Sequence, residues 1–344
     1  MGQYIVQFEK DNRLLVIQPL VGIGDMIWHK PWLDQLIDEY DVILATKPAS
    51  QPHILFHDSL SPTQILPIHR KLRGKKGRHD GVFGLWRLAS DFRSTGASAA
   101  LILHHSAFYA RAARLAGLSH IGGFGFGTLP KSVTKTLAPE DKGLHSLEKM
   151  PKFWALNGWP APTKGWQLPI APDKAAAAQA FYQALGVAPH TSLILGIGAM
   201  HEDRLWPAER FVQLITMMRE TRPDLTPIIM GGPAERHIAD EVQSHLPTPV
   251  AECFTSLDVA IAVLAQSGGY VGNDTSLLNL AATLQRPALG LFSQSAPLTY
   301  VDCLHHLDVI APSDYGTPGI IHQIMPHHVM AGVNKIWPNQ DAVE

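Results

Sequence analysis

Four short segments carry side chains that could do chemistry. The first, Gly22-Ile23-Gly24-Asp25, follows an apolar run and ends in a lone carboxylate. Glycines there allow a tight turn and close backbone approach. A dinucleotide fingerprint needs a third glycine, but Ile27 stands in its place. The next apolar run, "DVILAT", ends at Lys47-Pro48 rather than at an acid. A nicotinamide site is therefore poorly supported. Asp25 keeps two readings. As a helix N-cap it would stabilise the fold by about 1 kcal/mol. As a carboxylate on a loop at a strand end it could take a proton from a hydroxyl. Local sequence alone favours the cap.

The second segment, "GIGAMHEDRLWPAERF" (196–211), passes from a strand through a glycine loop to Arg204 and then to Trp206-Pro207. Pro207 suits a first helical turn. The planar fork of Arg204 could grip phosphate oxygens; it could equally be a solvated cation paired with Glu202 or Asp203. The third, "IIMGGPAER" (228–236), puts Met230, Gly231 and Gly232 in a turn after a strand and Glu235 early in a helix. Early glutamates suit the helix dipole, and a carboxylate at a strand end can also bind ribose hydroxyls. The fourth, "YVGNDTSLLNLAATLQRP" (270–287), is the most informative. A short strand gives way to Asp274, Thr275 and Ser276 at the start of an apolar helix. Such a helix start is a ready anion site, and the two hydroxyls could bond a diphosphate. Thr275 and Asn279, four apart, share a helix face. Asp274 would repel phosphate, so it should cap the helix or hold sugar hydroxyls.

The elements that must position these groups are legible in the same way. "RLLVIQPL" (13–20) reads as a buried strand and 25–39 as a helix kinked at Pro31. "DVILAT" (41–46), "HILFHD" (53–58) and "AALILHHS" (99–106) read as strands. Residues 107–118 and 145–158 read as helices, and "SHIGGFGFGTLPKS" (119–132) as a glycine-rich loop. Helix and strand alternate again after 174. Short apolar strands alternating with helices predict parallel sheets built from βαβ units. The proline-crowded stretch 159–173 is the best boundary, giving domains 1–165 and 166–344. The expected fold class is α/β, two Rossmann-like domains facing a central cleft. Ligands in such sheets sit beyond the C-terminal strand ends.

The totals narrow the function classes. The chain has 344 residues, 46% hydrophobic and 17% charged, as in a well-packed globular protein. A net charge of −2 gives no support for a nucleic-acid partner. Cys253 and Cys303 match no metal spacing, and the paired histidines at 104–105, 305–306 and 327–328 form none either. The expectation is a reduced, cytoplasmic setting without a metal. The first residues make a poor signal peptide, and no apolar run is long enough to span a membrane. The basic stretch "HRKLRGKKGR" (69–78), with Lys71 and Arg73, is either a solvated loop or an attractor of anionic lipid heads or acidic sugars.

Taken in order, the four segments resemble the family 9 glycosyltransferases, the lipopolysaccharide heptosyltransferase family. The family's G-D, K-x-W-P, GG-x-x-x-E-like and D-[TS]-[GS]-x-x-H-[LI]-A-A elements read here as Gly24-Asp25, Arg204-Leu205-Trp206-Pro207, Gly231-Gly232-Pro233-Ala234-Glu235 and Asp274 to Ala282. "LGLFSQSAP" also resembles the family's tail. Two positions depart: Arg204 stands for Lys, which keeps the charge and changes the geometry, and Asn279 for His, which keeps hydrogen bonding and loses titration. The resemblance implies a GT-B fold and an inverting, metal-independent transfer without a cofactor. The donor would be a nucleotide sugar, ADP-linked, held in the C-terminal domain, whose last residues would pack back on the N-terminal one. The acceptor, a lipid-linked glycan, would lie in the N-terminal domain. Asp25 would be the base. Arg204, Thr275 and Ser276 would hold the diphosphate, Asp274 and Asn279 the donor sugar, and Glu235 the ribose, with Met230 to Pro233 bordering the base. Gly22, Gly24, Lys71, Arg73 and His145 are the acceptor-side candidates. The protein is expected to be a monomer in peripheral contact with the inner membrane. The rival readings are a nucleotide-sugar-binding protein that has lost catalysis and a nucleotide-sugar epimerase or hydrolase of the same fold.

Overall fold

The computed structural model describes residues 13–72, 74–125, 133–134 and 137–339. The chain divides into two compact units, Met1–Trp166 and Gln167–Glu344. Unit 1 contains β1 (Leu14–Gln18), α1 (Ile23–Glu39), β2 (Val42–Thr46), α2 (Pro52–Leu55), β3 (Ile65–Pro67), α3 (Gly84–Ser94), β4 (Ala99–Ile102), α4 (Ala107–Leu115), β5 (His120–Gly123), β6 (Val133–Thr134) and α5 (Ser146–Asn157). Its strands lie in the order β3-β2-β1-β4-β5-β6, all parallel. Every residue of β1, β2 and β4 is buried. That is why these strands read as continuous apolar runs: a parallel sheet covered on both faces has no solvent side.

Unit 2 contains α6 (Pro172–Leu185), β7 (Ser192–Gly196), α7 (Ala208–Thr221), β8 (Thr226–Met230), α8 (Arg236–Ser244), β9 (Ala251–Cys253), α9 (Leu257–Gln266), β10 (Gly269–Asn273), α10 (Ser276–Thr283), β11 (Ala288–Leu291), β12 (Leu304–His306) and α11 (Pro326–Ile336). Its order, β12-β11-β10-β7-β8-β9, repeats that of unit 1, again with parallel pairs. Each unit is thus a doubly wound α/β sheet, as the alternation predicted. In both, the strand order reverses next to the first strand, between β1 and β4 and between β7 and β10. Ligands gather at such a switch point, beyond the strand ends.

Two expected elements are corrected. Residues 53–58 are not a strand. Gln51 adopts a left-handed conformation (φ 55°), and Pro52 opens the short helix α2. The strand that pairs with β2 comes later, at Ile65–Pro67, an edge position where a proline is tolerated. The supposed loop from 119 begins as β5. Gly123 lies so close to β4 that a Cβ would sit 2.6 Å from the Ile102 carbonyl oxygen. α1 runs without a break through Pro31. α11 packs on α7, and its Val329, Met330 and Val333 join the unit 2 core. Residues 340–344, the end of the tail expected to pack back on the first domain, lie outside the described residues.

Candidate active site

In unit 1 the chain leaves β1 and turns at Gly22, which adopts an extended conformation and is the true N-cap of α1. Asp25 is therefore not the cap. It occupies the third helical position, and its Oδ2 reaches back to accept the Gly22 N–H at 3.1 Å. A Cβ on Gly22 would stand 2.7 Å from that oxygen, so a side chain there would push the carboxylate away from the N–H. Partial burial pushes the Asp25 carboxyl above its ordinary range, against the smaller opposing effect of the Gly22 N–H. The group is thus a stronger base than a solvated carboxylate, held at a strand end. One turn on, fully buried His29 is pushed down to about 4 by desolvation, so it is neutral. Its Nδ1 lies 2.6 Å from the Asp25 carbonyl oxygen, which can only accept, so Nδ1 carries the proton.

The other acceptor-side candidates are distributed unevenly. His145 caps α5, its Nδ1 accepting the Leu147 N–H at 3.3 Å, and packs edge-on against Trp28, three residues past Asp25 (centroids 4.1 Å). Burial pushes its pKa down. Gly24 is buried within α1. Lys71 is exposed on the 69–80 loop, and Arg73 lies outside the described residues. Sequence reasoning missed His104 and His105. They stack at 4.5 Å just past β4, across the switch point from the start of α1, which carries Asp25. His104 is also held neutral, at about 4, chiefly by burial. The doubled histidine was visible, but only the strand order gives it a place near the site.

In unit 2 the donor-side candidates form one connected network. Asn273, at the end of β10, donates to the carbonyls of Ile197 (2.9 Å) and Gly198 (3.2 Å) and accepts the Trp206 N–H at 3.1 Å. It ties the ends of β7 and β10 together. Trp206 is fully buried, and its indole N–H donates to the Ile324 carbonyl at 2.7 Å. Pro207 is the N-cap of α7. Arg204 then reaches Asp274, with Nη1 to Oδ2 at 3.1 Å, rather than the expected neighbours Glu202 or Asp203. Asp274 also accepts from the Ser295 hydroxyl at 3.3 Å and does not cap α10, whose N-cap is Thr275. Burial raises the Asp274 pKa, with Arg204 and Ser295 opposing.

Thr275 makes no side-chain cap bond, and Ser276 opens the helix. Asn279 donates to the Thr275 carbonyl at 3.0 Å, and its Oδ1 accepts the Tyr300 hydroxyl at 2.9 Å. At the end of β8, Glu235 accepts the Gly232 N–H at 2.8 Å. Its stem lies over Gly198, where a Cβ would sit 2.6 Å from Glu235 Cγ. Gly231 also packs closely, on Glu235 and Phe254. Met230 is 1% exposed, so it is sealed in the core and lines no surface. Asn273, Ser295 and Tyr300 had no role in the sequence reading. Asn273 sits inside the quoted "GNDTS", but its role depends on contacts some 70 residues away.

Among the described residues, no group of three or more His, Cys, Asp or Glu side chains is placed to hold a metal ion. What the network can do is electrostatic. A cation, a helix start with two hydroxyls, and a carboxylate beside a glycine turn converge at the C-terminal ends of β7, β8 and β10. Such a set suits a nucleoside diphosphate.

A family model described as glycosyltransferase family 9 (heptosyltransferase) matches residues 133–315, just over half of the chain. Among solved structures, the chain is similar to a family 9 glycosyl transferase from Veillonella parvula (TM-score 0.80, 19% identity, covering 96% of this chain and 98% of that one). It is also similar to E. coli ADP-heptose LPS heptosyltransferase II (0.72, 18%, 94% and 98%). A third neighbour is E. coli heptosyltransferase WaaC with ADP-2-deoxy-2-fluoro heptose (0.66, 17%, 94% and 99%). At these identities the likeness is one of fold. No curated protein matches the chain significantly in sequence.

Proposed function

The chain belongs to glycosyltransferase family 9, the heptosyltransferases, and is a glycosyltransferase; from that premise we propose that it moves heptose from ADP-heptose, with inversion, to a lipopolysaccharide core or related surface-glycan acceptor. The donor is assigned to unit 2 and the acceptor to unit 1. Asp25 takes the proton of the acceptor hydroxyl as that oxygen attacks the anomeric carbon. The bond from carbon to the diphosphate oxygen breaks, and ADP leaves with the electron pair. Arg204, the N-terminus of α10, Thr275 and Ser276 stabilise the charge that grows on the diphosphate, where preorganised donors count most. This transfer needs no metal or cofactor. Arg204 must exchange Asp274 for phosphate, and the released Asp274 then meets sugar hydroxyls, with Asn279 contributing from the same helix face. Glu235 holds the ribose.

The observation that carries this reading is the network joining Arg204, Asn273, Asp274 and Glu235 across three adjacent strand ends. The test is incubation with ADP-heptose, with and without a heptose-deficient core acceptor, following ADP release and product mass. Acceptor-dependent ADP release supports the proposal. ADP release that ignores acceptor indicates a hydrolase or epimerase, and binding without turnover indicates a binding protein.

A further inference from the structure

The segment between β11 and β12, residues 292–303, belongs to no strand or helix, yet side chains tether it closely. Ser293 is buried at its start. The Ser293 hydroxyl donates to the Asp203 carbonyl at 3.0 Å, next to Arg204, and the Ser293 carbonyl accepts the Gly316 N–H at 2.9 Å. Three further bonds run to α10 and the residue before its cap. Ser295 donates to Asp274 Oδ2 at 3.3 Å, Tyr300 to Asn279 Oδ1 at 2.9 Å, and the Cys303 thiol to the Ala282 carbonyl at 3.6 Å. Each pair is 21 residues apart, so the segment runs past α10 in the same order. The chain's return to the sheet is secured by backbone pairing of β12 with β11. The hydroxyls of Ser295 and Tyr300 serve two side chains instead, and these are the two assigned to the donor sugar.

Both contacts matter most when donor binds. Asp274 is 8% exposed and shared between Arg204 and Ser295. Once Arg204 turns to phosphate, the carboxylate keeps Ser295 and needs further donors, because a desolvated charge short of partners is costly. Asn279 is buried and held at both ends of its amide. Its nitrogen donates to the Thr275 carbonyl at 3.0 Å while its oxygen takes the Tyr300 hydroxyl. An amide fixed in this way cannot turn end for end. A carboxylate, an amide and two hydroxyls match a polyhydroxyl, which both donates and accepts. They do not match a second anion, which Asp274 would repel.

We infer that Ser295 and Tyr300 are positioning residues of a donor-sugar subsite: Ser295 holds Asp274, and Tyr300 holds Asn279, in the geometry that meets the sugar hydroxyls of a nucleotide sugar. The inference deepens the transferase reading and rests on its placing of the donor in unit 2. Side chains held before the ligand arrives lower the ordering cost of binding it. The sugar half of the donor gains from both hydroxyls, and the ADP half gains from neither.

Titration calorimetry without acceptor compares ADP with ADP-heptose on the wild type and on Ser295→Ala, Ser295→Thr and Tyr300→Phe. Ser295→Ala should weaken ADP-heptose binding about tenfold or more, since its partner is charged, and Tyr300→Phe about three- to tenfold. Both should leave ADP binding within about twofold of the wild type, a split that a merely structural role would not produce. Ser295→Thr keeps the hydroxyl and should recover most of the loss. Tyr300→Phe removes one oxygen and keeps the ring, so folding is not at stake. Equal losses for ADP and ADP-heptose overturn the inference, because the segment would then only support the fold. Unchanged ADP-heptose binding in either variant overturns that residue's role, and so does a threonine no better than alanine at 295. A wild type that ignores ADP overturns the donor assignment and this inference with it. A wild type that binds ADP and transfers heptose, with variants indistinguishable from it, overturns this inference alone.

Discussion

At the residue scale, Asp25 shows how one side chain can serve helix and chemistry together. Its Oδ2 takes the Gly22 N–H, and burial makes the carboxylate more basic than usual. Asp25→Asn keeps an oxygen for that N–H and removes the charge. Transfer rate should fall by about 10²–10⁴-fold, while thermal melting at neutral pH should show equal or higher stability. The sign follows from linkage: a carboxyl whose folded pKa is raised penalises the folded state while ionised. That penalty is fully present above the folded pKa and disappears below the unfolded one. The same shift predicts that kcat/KM falls on the acid side with an inflection above the ordinary carboxylate value of 3.8; a limb at or below it would argue against Asp25 as the base. Arg204 acts differently, because Asp274 holds it in the absence of donor. Arg204→Ala should weaken ADP binding by about 10–100-fold, the worth of a charged hydrogen bond, as titration calorimetry would read. Arg204→Lys should recover part of that loss, since charge is kept and the fork is not.

At the element scale, the strand ends are set by close backbone approach. Gly272 faces Gly196 across the β10–β7 pair, and a Cβ there would lie 2.3 Å from the Gly196 carbonyl oxygen. Backbone cannot give way as a flexible side chain can. Gly272→Ala should therefore cost about 3 kcal/mol or more, measurable by urea unfolding, and should displace Asn273 from its partners. The long buried strands and most helices of ten or more residues were legible in the sequence, because periodicity and continuous apolar runs are local signals; α3 and α11, eleven residues each, were not read as helices. β3, β9 and β12 were not, being three residues each at or near a sheet edge. Residues 53–58 misled for the opposite reason. A short apolar run suits strand and helix alike, and Pro52 behind a left-handed Gln51 decided for α2.

At the scale of the whole molecule, each unit has its own apolar core, one around Leu15, Ile17, Phe92 and Tyr109 and one around Trp206, Phe211, Val271 and Val333. Separate cores predict unfolding in two calorimetric transitions rather than one. ADP should raise the transition of unit 2 and leave that of unit 1 in place, since only the state that binds is stabilised. At 100 times its Kd the gain is about 2.7 kcal/mol. A single transition, or a shift confined to unit 1, would contradict the assignment of the donor to unit 2.

By itself the sequence determined the class of fold, two doubly wound α/β units, and the kinds of side chain at their strand ends. Glycine turns, apolar runs and helix starts are written within a few residues of one another, and local physics reads them. The tertiary structure decided the partnerships. It gave Arg204 to Asp274 rather than to Glu202, moved Asp25 from the cap to the third helical position, sealed Met230 in the core, and left Phe83 and Trp86 facing outward. Each of those outcomes depends on how neighbouring strands and helices pack, through backbone approach and burial that no local pattern specifies.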